Sequence, residues 1–297
     1  MMSTLTETDS VVGDARRTDK MPPRRRIKGV SVLVGGFLTL TLLALLSPIL
    51  WTAASVSKPT DVAFLNPPVT TWKPSLDTFV NLWQTTNFFQ DVLNTLVVAV
   101  ISTVVALVLG LPAAYALSRS PGWVSTVLLV VALIFRALPR FGVVLPMYEL
   151  ARSVGLYDTT TALAIALVAI NQPFTIWLLR NFFAEIPNTL DEAAMIDGCT
   201  RLGVLRRVML PLMGPGILTA GIFVFLFAFQ EYLTATILTD VNARTVPVFI
   251  ASQLGQTLPL LQQAGAAAVL FTIPAIAFAF IAQKYIVAGL NSGSVKG

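Results

Sequence analysis

Hydrophobic residues in this chain come in long blocks, not in alternation. Six stretches, residues 30–51, 92–117, 124–145, 160–179, 216–238 and 264–282, are almost continuously apolar. A helix that crosses a bilayer needs roughly 20 such residues, so each block is long enough to span. None shows the period of two that marks a barrel strand. The pattern predicts an all-α integral membrane protein with six transmembrane helices. It divides into a polar tail 1–28, a first transmembrane helix 29–51, a segment 52–90 outside the membrane, a five-helix core 91–283 and a terminal tail 284–297.

Composition sharpens this. Of 297 residues, 55% are hydrophobic and only 12% charged, against about 25% charged in soluble domains. The chain has no histidine, which excludes a histidine general base, a catalytic triad and a zinc site of the usual kind. Its single cysteine permits no internal disulfide and no thiolate cluster. The formal charge of +5 is informative through its placement. With the N-terminus in the cytoplasm, fourteen Lys and Arg fall on inner segments: seven before the first span, then Arg119, Arg180, Arg201, Arg206, Arg207, Lys284 and Lys296. Lys58, Lys73, Arg152 and Arg244 fall outside, and Arg136 and Arg140 fall inside the third span. Positive residues favour the cytoplasmic side, so both termini are placed there.

The first 28 residues are polar, lack periodicity and end in Arg24-Arg25-Arg26 and Lys28; they read as a disordered basic cytoplasmic tail that sets topology. A cleavable signal is the competing reading, because Ala53-Ala54-Ser55 follows an apolar run. That run exceeds the roughly 7–15 residues of a signal core, so it is kept as a permanent span. Pro59, Pro67, Pro68 and Pro74 make segment 52–90 an extended excursion.

The loop between the fourth and fifth spans, residues 181–213, is the richest in local signals. Thr189 and Glu192 have capping-box spacing at a helix start. Gly198 permits a turn that a Cβ would resist. Leu202, Leu205, Met209 and Leu212 then recur at helical spacing, with Arg201, Arg206 and Arg207 on other faces. The loop reads as two short amphipathic helices joined at a glycine.

Glu192-Ala193-Ala194, then Asp197-Gly198, then Val208 and Leu210-Pro211 resemble the EAA loop of membrane subunits of binding-protein-dependent ABC importers. Arg180-Asn181-Phe182-Phe183, Ile186-Pro187 and the C-terminal Gln283-Lys284-Tyr285-Ile286-Val287-Ala288-Gly289-Leu290 resemble the carbohydrate branch, in particular its smaller six-span permease of the maltose, trehalose and glycerol-phosphate type. Cys199, Val208, Asn291 and Ser294 depart from the usual pattern, as does Phe229-Gln230-Glu231-Tyr232, where that family often shows Trp-Asn-acidic-aromatic.

The resemblance implies a type I ABC importer permease fold in a prokaryotic inner membrane. It also implies a coupling role for Glu192, Ala193, Ala194, Asp197, Gly198, Leu210 and Pro211. It further implies a tail contact to the ATPase through Gly293, Val295, Lys296 and Gly297, which a frayed terminus would contradict. The implied partners are a second homologous permease, a dimer of ATPase subunits, an extracytoplasmic sugar-binding protein and lipid, with no nucleic acid. Nothing matches a P-loop, so no cofactor is expected in this chain; ATP and Mg would belong to the partner ATPase, and the chain itself would be no enzyme. An importer of a non-carbohydrate solute shares the EAA loop and stays open. A secondary transporter would show internal repeats or charged broken helices, and neither is evident. Cys199 reads as a small filler or a redox group, the former favoured.

Polar residues within spans are the default candidates for a solute route. Here they are Arg136, Arg140, Asn171, Gln172, Gln230 and Glu231, with Tyr232 adjacent. Arg136 and Arg140 are four apart and would share a helix face, with Pro139 and Pro146 favouring a kink near the outer end. Sugar contact, snorkelling and an ion pair with Glu231 all remain open for them.

Overall fold

The computed structural model describes residues 28–63, 65, 67 and 69–292; the basic N-terminal tail and Gly293, Val295, Lys296 and Gly297 lie outside the described residues. The described part is helical. The helices are α1 Lys28–Val56, α2 Asp77–Thr85, α3 Phe88–Arg119, α4 Gly122–Ala137, α5 Arg140–Ser153, α6 Thr160–Glu185, α7 Thr189–Ile196 and α8 Arg201–Val204. A π turn, Leu205–Met209, leads into α9 Leu210–Leu212; then follow α10 Gly214–Phe229, α11 Leu233–Leu238, α12 Val246–Gln253 and α13 Leu258–Ser292. Two compact units divide the chain at residues 48 and 49. In the first, α1 presents Leu33, Phe37 and Leu45 to its surroundings, the surface expected of a helix solvated by lipid.

In the second unit the central contact is α3 against α6. Its cause is a row of small residues: Ala99, Ser102, Ala106, Gly110 and Ala114 lie buried along one face of α3, the spacing that lets membrane helices approach closely. At Gly110 a Cβ would stand 3.0 Å from the Thr175 methyl of α6. Helix α10 packs on both and is held close to α6 at Gly216, where a Cβ would meet the Phe182 side chain at 2.8 and 2.9 Å. Stacked rings join α10 to α13: Phe225 with Phe278 and Phe229 with Phe271, each pair at 4.3 Å. Alternate passes leave two ends. Helices α7, α8 and α9 lie at the loop end; α2, α5, α11 and α12 lie at the far end.

Four helices are long and apolar enough to cross a membrane among the described residues, or up to six if each bent pair is one span. The third apolar block is thus not one straight helix. It breaks at Leu138-Pro139, and α4 and α5 meet at 84°. Proline lacks the amide and disfavours helix in the residue before it. Arg136 and Arg140 therefore sit on two helices, on either side of the bend, and do not share a helix face. The fifth block is also interrupted, since α10 ends at Phe229 and Gln230-Glu231-Tyr232 separate it from α11. The excursion is more ordered than its prolines suggest. Helix α1 runs on to Val56 and α2 forms inside it, while Lys58 donates to the Val69 carbonyl at 2.9 Å and lies over the Trp72 ring.

Because Phe182 meets Gly216 with the base of its side chain, Gly216→Val is expected to lower stability by about 1–3 kcal/mol, the usual cost of overpacking. Thermal unfolding of the detergent-solubilised protein checks this, and an unchanged midpoint refutes it.

Candidate functional site

At the loop end, α7 begins after Ile186-Pro187. Asn188 already has helical angles, and the amides of Asp191 and Glu192 both donate to its carbonyl. Thr189 is therefore inside the first turn and forms no capping box with Glu192. The side-chain cap occurs later, at Thr200, whose hydroxyl accepts from the Gly203 amide at 3.2 Å. Between the two helices Gly198 has φ +85°, the left-handed geometry that favours glycine at a helix C-terminus.

One residue fixes α7 to the bundle. Asp191, whose side chain is 8% exposed, accepts from Arg119 Nε at 2.8 Å and from the Tyr115 hydroxyl at 2.5 Å. Arg119 also donates to the carbonyls of Phe183 and Ile186, at 3.1 and 3.2 Å. A single guanidinium thus joins the end of α3, the end of α6 and the start of α7. Ala194 is buried beside it, over Phe183, Val204 and Met209.

The opposite face of α7 is open. Glu192, Ala193, Asp197 and Gly198 are exposed, as are Met195 and Ile196, the latter at 86%. Leu202, at 71%, and Leu212 are exposed as well. The buried face of the second helix is carried by Val204, Leu205, Met209 and Met213, so only part of the expected apolar row points inward. Leu210 is half-buried and Pro211 exposed. A groove of about 480 Å³ runs beside this surface, with Arg119, Asp191, Glu192, Met195, Arg201 and Leu202 on its walls.

At the far end the two interrupted helices meet. Arg140 Nη1 lies 3.4 Å from Glu231 Oε2, and Glu231 Oε1 accepts from the amide and hydroxyl of Thr234 at 3.0 and 2.8 Å. Glu231 thereby satisfies an amide left free at the start of α11. Arg136 donates to the Ile170 carbonyl at 3.4 Å and to Asn171 Oδ1 at 3.3 Å, between the Phe174 and Phe227 rings. Gln172 turns the other way, to the Ala106 carbonyl at 3.4 Å. Gln230 and Tyr232 are exposed and join neither group.

A second far-end lattice escaped sequence reasoning. Asp91 binds Arg244 through two bonds of 3.1 and 3.0 Å. Asn94 donates to the carbonyls of Asn242 and Arg244, both at 2.9 Å, and the Thr95 hydroxyl accepts from the Val246 amide. Asp158, at φ +55°, accepts from the amides of Asp240, Asn242 and Ala243 and from the Asn242 side chain. Burial pushes its carboxyl up, but these bonds outweigh it and hold the group below its ordinary 3.8.

Both ends belong to a helical protein whose longer helices are apolar enough to cross a membrane, and comparison with known proteins shows its family. The chain belongs to the family described as "Binding-protein-dependent transport system inner membrane component", which matches residues 106–292. It is 37% identical over 259 residues to the trehalose transport system permease protein SugB of Mycobacterium tuberculosis, covering 85% of this chain and 93% of the relative. It is 33% identical over 276 residues to the trehalose/maltose transport system permease protein MalG of Thermococcus litoralis, covering 91% of this chain and 98% of the relative. A solved bacterial ABC transporter involved in the import of the acidic polysaccharide alginate shares the fold, with a TM-score of 0.70 at 23% identity over 88% of this chain and 98% of that one. The protein is thus an ABC permease, a membrane transport component and not an enzyme.

Removing the guanidinium in Arg119→Met leaves the Asp191 carboxylate buried with one neutral partner. Breaking such a pair from one side costs about 3–5 kcal/mol, and the expected result is a large drop in the thermal midpoint and rapid proteolysis at α7. Asp158 contributes stability in full above the ordinary carboxylate value of 3.8, and loses it as pH falls through its lower folded value. The difference in midpoint between wild type and Asp158→Asn should therefore narrow below that pH; a constant difference refutes the assignment.

Proposed function

We propose that this chain is a permease subunit of an ATP-driven, binding-protein-dependent sugar importer. In this reading it crosses a prokaryotic inner membrane six times, with both termini cytoplasmic, and each bent pair counts as a single crossing. It forms half of the translocation passage beside a second, homologous permease. A dimer of ATPase subunits binds ATP and Mg on the cytoplasmic side, and an extracytoplasmic binding protein delivers the sugar. The trehalose and trehalose/maltose systems of the two relatives and the Arg180–Phe183 and Ile186-Pro187 motifs support a carbohydrate, a di- or oligosaccharide.

The observation that carries the coupling role is the two-sided character of α7. Its inner face is tied to α3 by Asp191, and its outer face offers Glu192, Ala193, Met195, Ile196 and Asp197 to a partner. Small Ala193 allows close approach, the apolar side chains supply buried area, and the two acids meet basic groups across the contact. Glu192, Ala193, Ala194, Asp197, Gly198, Leu210 and Pro211 form this docking element, and the tail residues Gly293, Val295, Lys296 and Gly297 add a second ATPase contact. A displacement imposed on α7 passes through Arg119 into α3 and α6 as rigid bodies. Arg136, Arg140, Asn171, Gln172, Gln230, Glu231 and Tyr232 are the candidates along the passage.

Glu192→Lys and Gly198→Val should leave the protein in the membrane but abolish transport, the first by reversing a docking charge and the second by straining the turn at φ +85°. Uptake and ATP hydrolysis in reconstituted vesicles test this, and full coupled activity in either variant overturns the coupling role.

A further inference from the structure

Four arginines of the second unit, Arg119, Arg244, Arg136 and Arg140, are coordinated in two different ways. Arg119 reaches a carboxylate at 2.8 Å and two carbonyls, and Arg244 reaches both oxygens of Asp91 at 3.1 and 3.0 Å. These are multiply bonded structural pairs with a buried carboxylate. Arg140 instead reaches one carboxylate oxygen at 3.4 Å with 40% of its side chain exposed. Arg136 has two long bonds, 3.4 and 3.3 Å, to neutral oxygens, and forms no salt bridge among the described residues. Charge-assisted bonds of well-coordinated guanidinium lie near 2.7–2.9 Å, so both groups keep donors to spare.

The charge is unbalanced too. Two guanidiniums face one carboxylate, Glu231, whose other oxygen is already bound to Thr234. The cluster therefore carries a net single positive charge in an apolar bundle, where an uncompensated cation is costly. The Phe174 and Phe227 rings attract and orient Arg136, but their quadrupoles add no negative charge. Both arginines line one cleft of about 260 Å³, whose remaining walls are apolar, among them Leu138, Val143 and Met147. Apolar walls with a few convergent polar groups are the build of a small-ligand site. Helix α4 is 16 residues long, about 24 Å at 1.5 Å per residue, so on the proposed topology the cleft stands near the outer mouth.

We infer that this cleft takes an anionic group carried on the transported sugar, a carboxylate, phosphate or sulfonate, and that Arg136 and Arg140 select acidic sugars over neutral ones. The inference rests on the permease reading above. A phospholipid headgroup offers the same phosphate chemistry, so lipid composition is an arm of the test.

The complete complex is reconstituted in phosphatidylcholine vesicles, with and without phosphatidylglycerol. ATP-dependent uptake is measured for glucose against glucuronate, maltose against maltobionate and trehalose against trehalose 6-phosphate. The expected result is uptake of at least one acidic member in preference to its neutral partner in both lipids. Arg136→Gln and Arg140→Gln should each lower that preference about tenfold, and Arg136→Lys should retain most of it. Should the glutamine variants fail to assemble, Val143→Glu, which puts a carboxylate on the cleft wall and leaves both arginines in place, should lower the preference equally. Uptake of neutral members only, no uptake of any acidic member, equal loss for both members of a pair, or an effect confined to phosphatidylglycerol vesicles overturns the inference. Absence of any ATP-dependent uptake, with the α7 variants indistinguishable from wild type in ATP hydrolysis, overturns the permease reading as well.

Discussion

Hydrocarbon offers no hydrogen bonds, so a chain inside it can leave the helix only where something else satisfies its backbone. That constraint explains where the polar side chains of this bundle are. At the break after α10, the amides of Gln230 and Glu231 turn back to Leu226 and Ala228, and Glu231 covers the amide of Thr234. At the bend after α4, Pro139 has no amide to satisfy, and its carbonyl accepts from Gly142 at 2.9 Å. Around residues 239–245, Asn94 covers two carbonyls and Asp158 covers three amides. At two of these three stretches a carboxylate or amide side chain takes up the backbone groups, whereas the bend after α4 is closed by backbone alone.

The same groups determine which parts move together. Helix α3 carries an anchor at each end: Asp91, Asn94 and Thr95 at one, Tyr115 and Arg119 at the other. Between them runs the seam of small residues against α6. The pair α3–α6 is consequently a strut. It is bonded to α7 through a short ion pair, and to the far-end loop through a bidentate one. Close packing along a seam of glycine and alanine leaves little room for bending, so the strut passes on displacement as a unit.

Much of this is legible in the sequence, and what is not has a common cause. Apolar blocks and basic residues are local signals, and they reveal the helices and the loop. Gly198 and the small residues of α7 are likewise visible in place. The bend after α4 is announced by Pro139. The break after α10 has no proline or glycine, and only Gln230-Glu231 within an apolar run hints at it. Thr189–Glu192 misleads because Asn188 is already helical, so the spacing is right and the frame is off by one residue. The brace of α7 is the largest omission. Asp191 adjoins Glu192 and looks like one more exposed acid, while Arg119 is 72 residues away. Pairing at that distance is set by packing, and no local pattern encodes it.

The two short helices, α4 and α10, have a different mechanical character from the strut. Both stop at the polar cluster, α4 at an 84° bend and α10 at the break of residues 230–232, and the Arg140–Glu231 contact joins the segments just beyond the two stops. At 3.4 Å, with Arg140 well exposed, it is the longest of the three ion pairs among the described residues. Long geometry and an exposed partner weaken it, so separating it costs less than separating Arg119 from Asp191. In this chain the difference is built from the same two residue types, arginine and a carboxylate. What separates the cases is burial and geometry: Arg119 and Asp191 are short-bonded and buried, Arg140 and Glu231 further apart and more exposed.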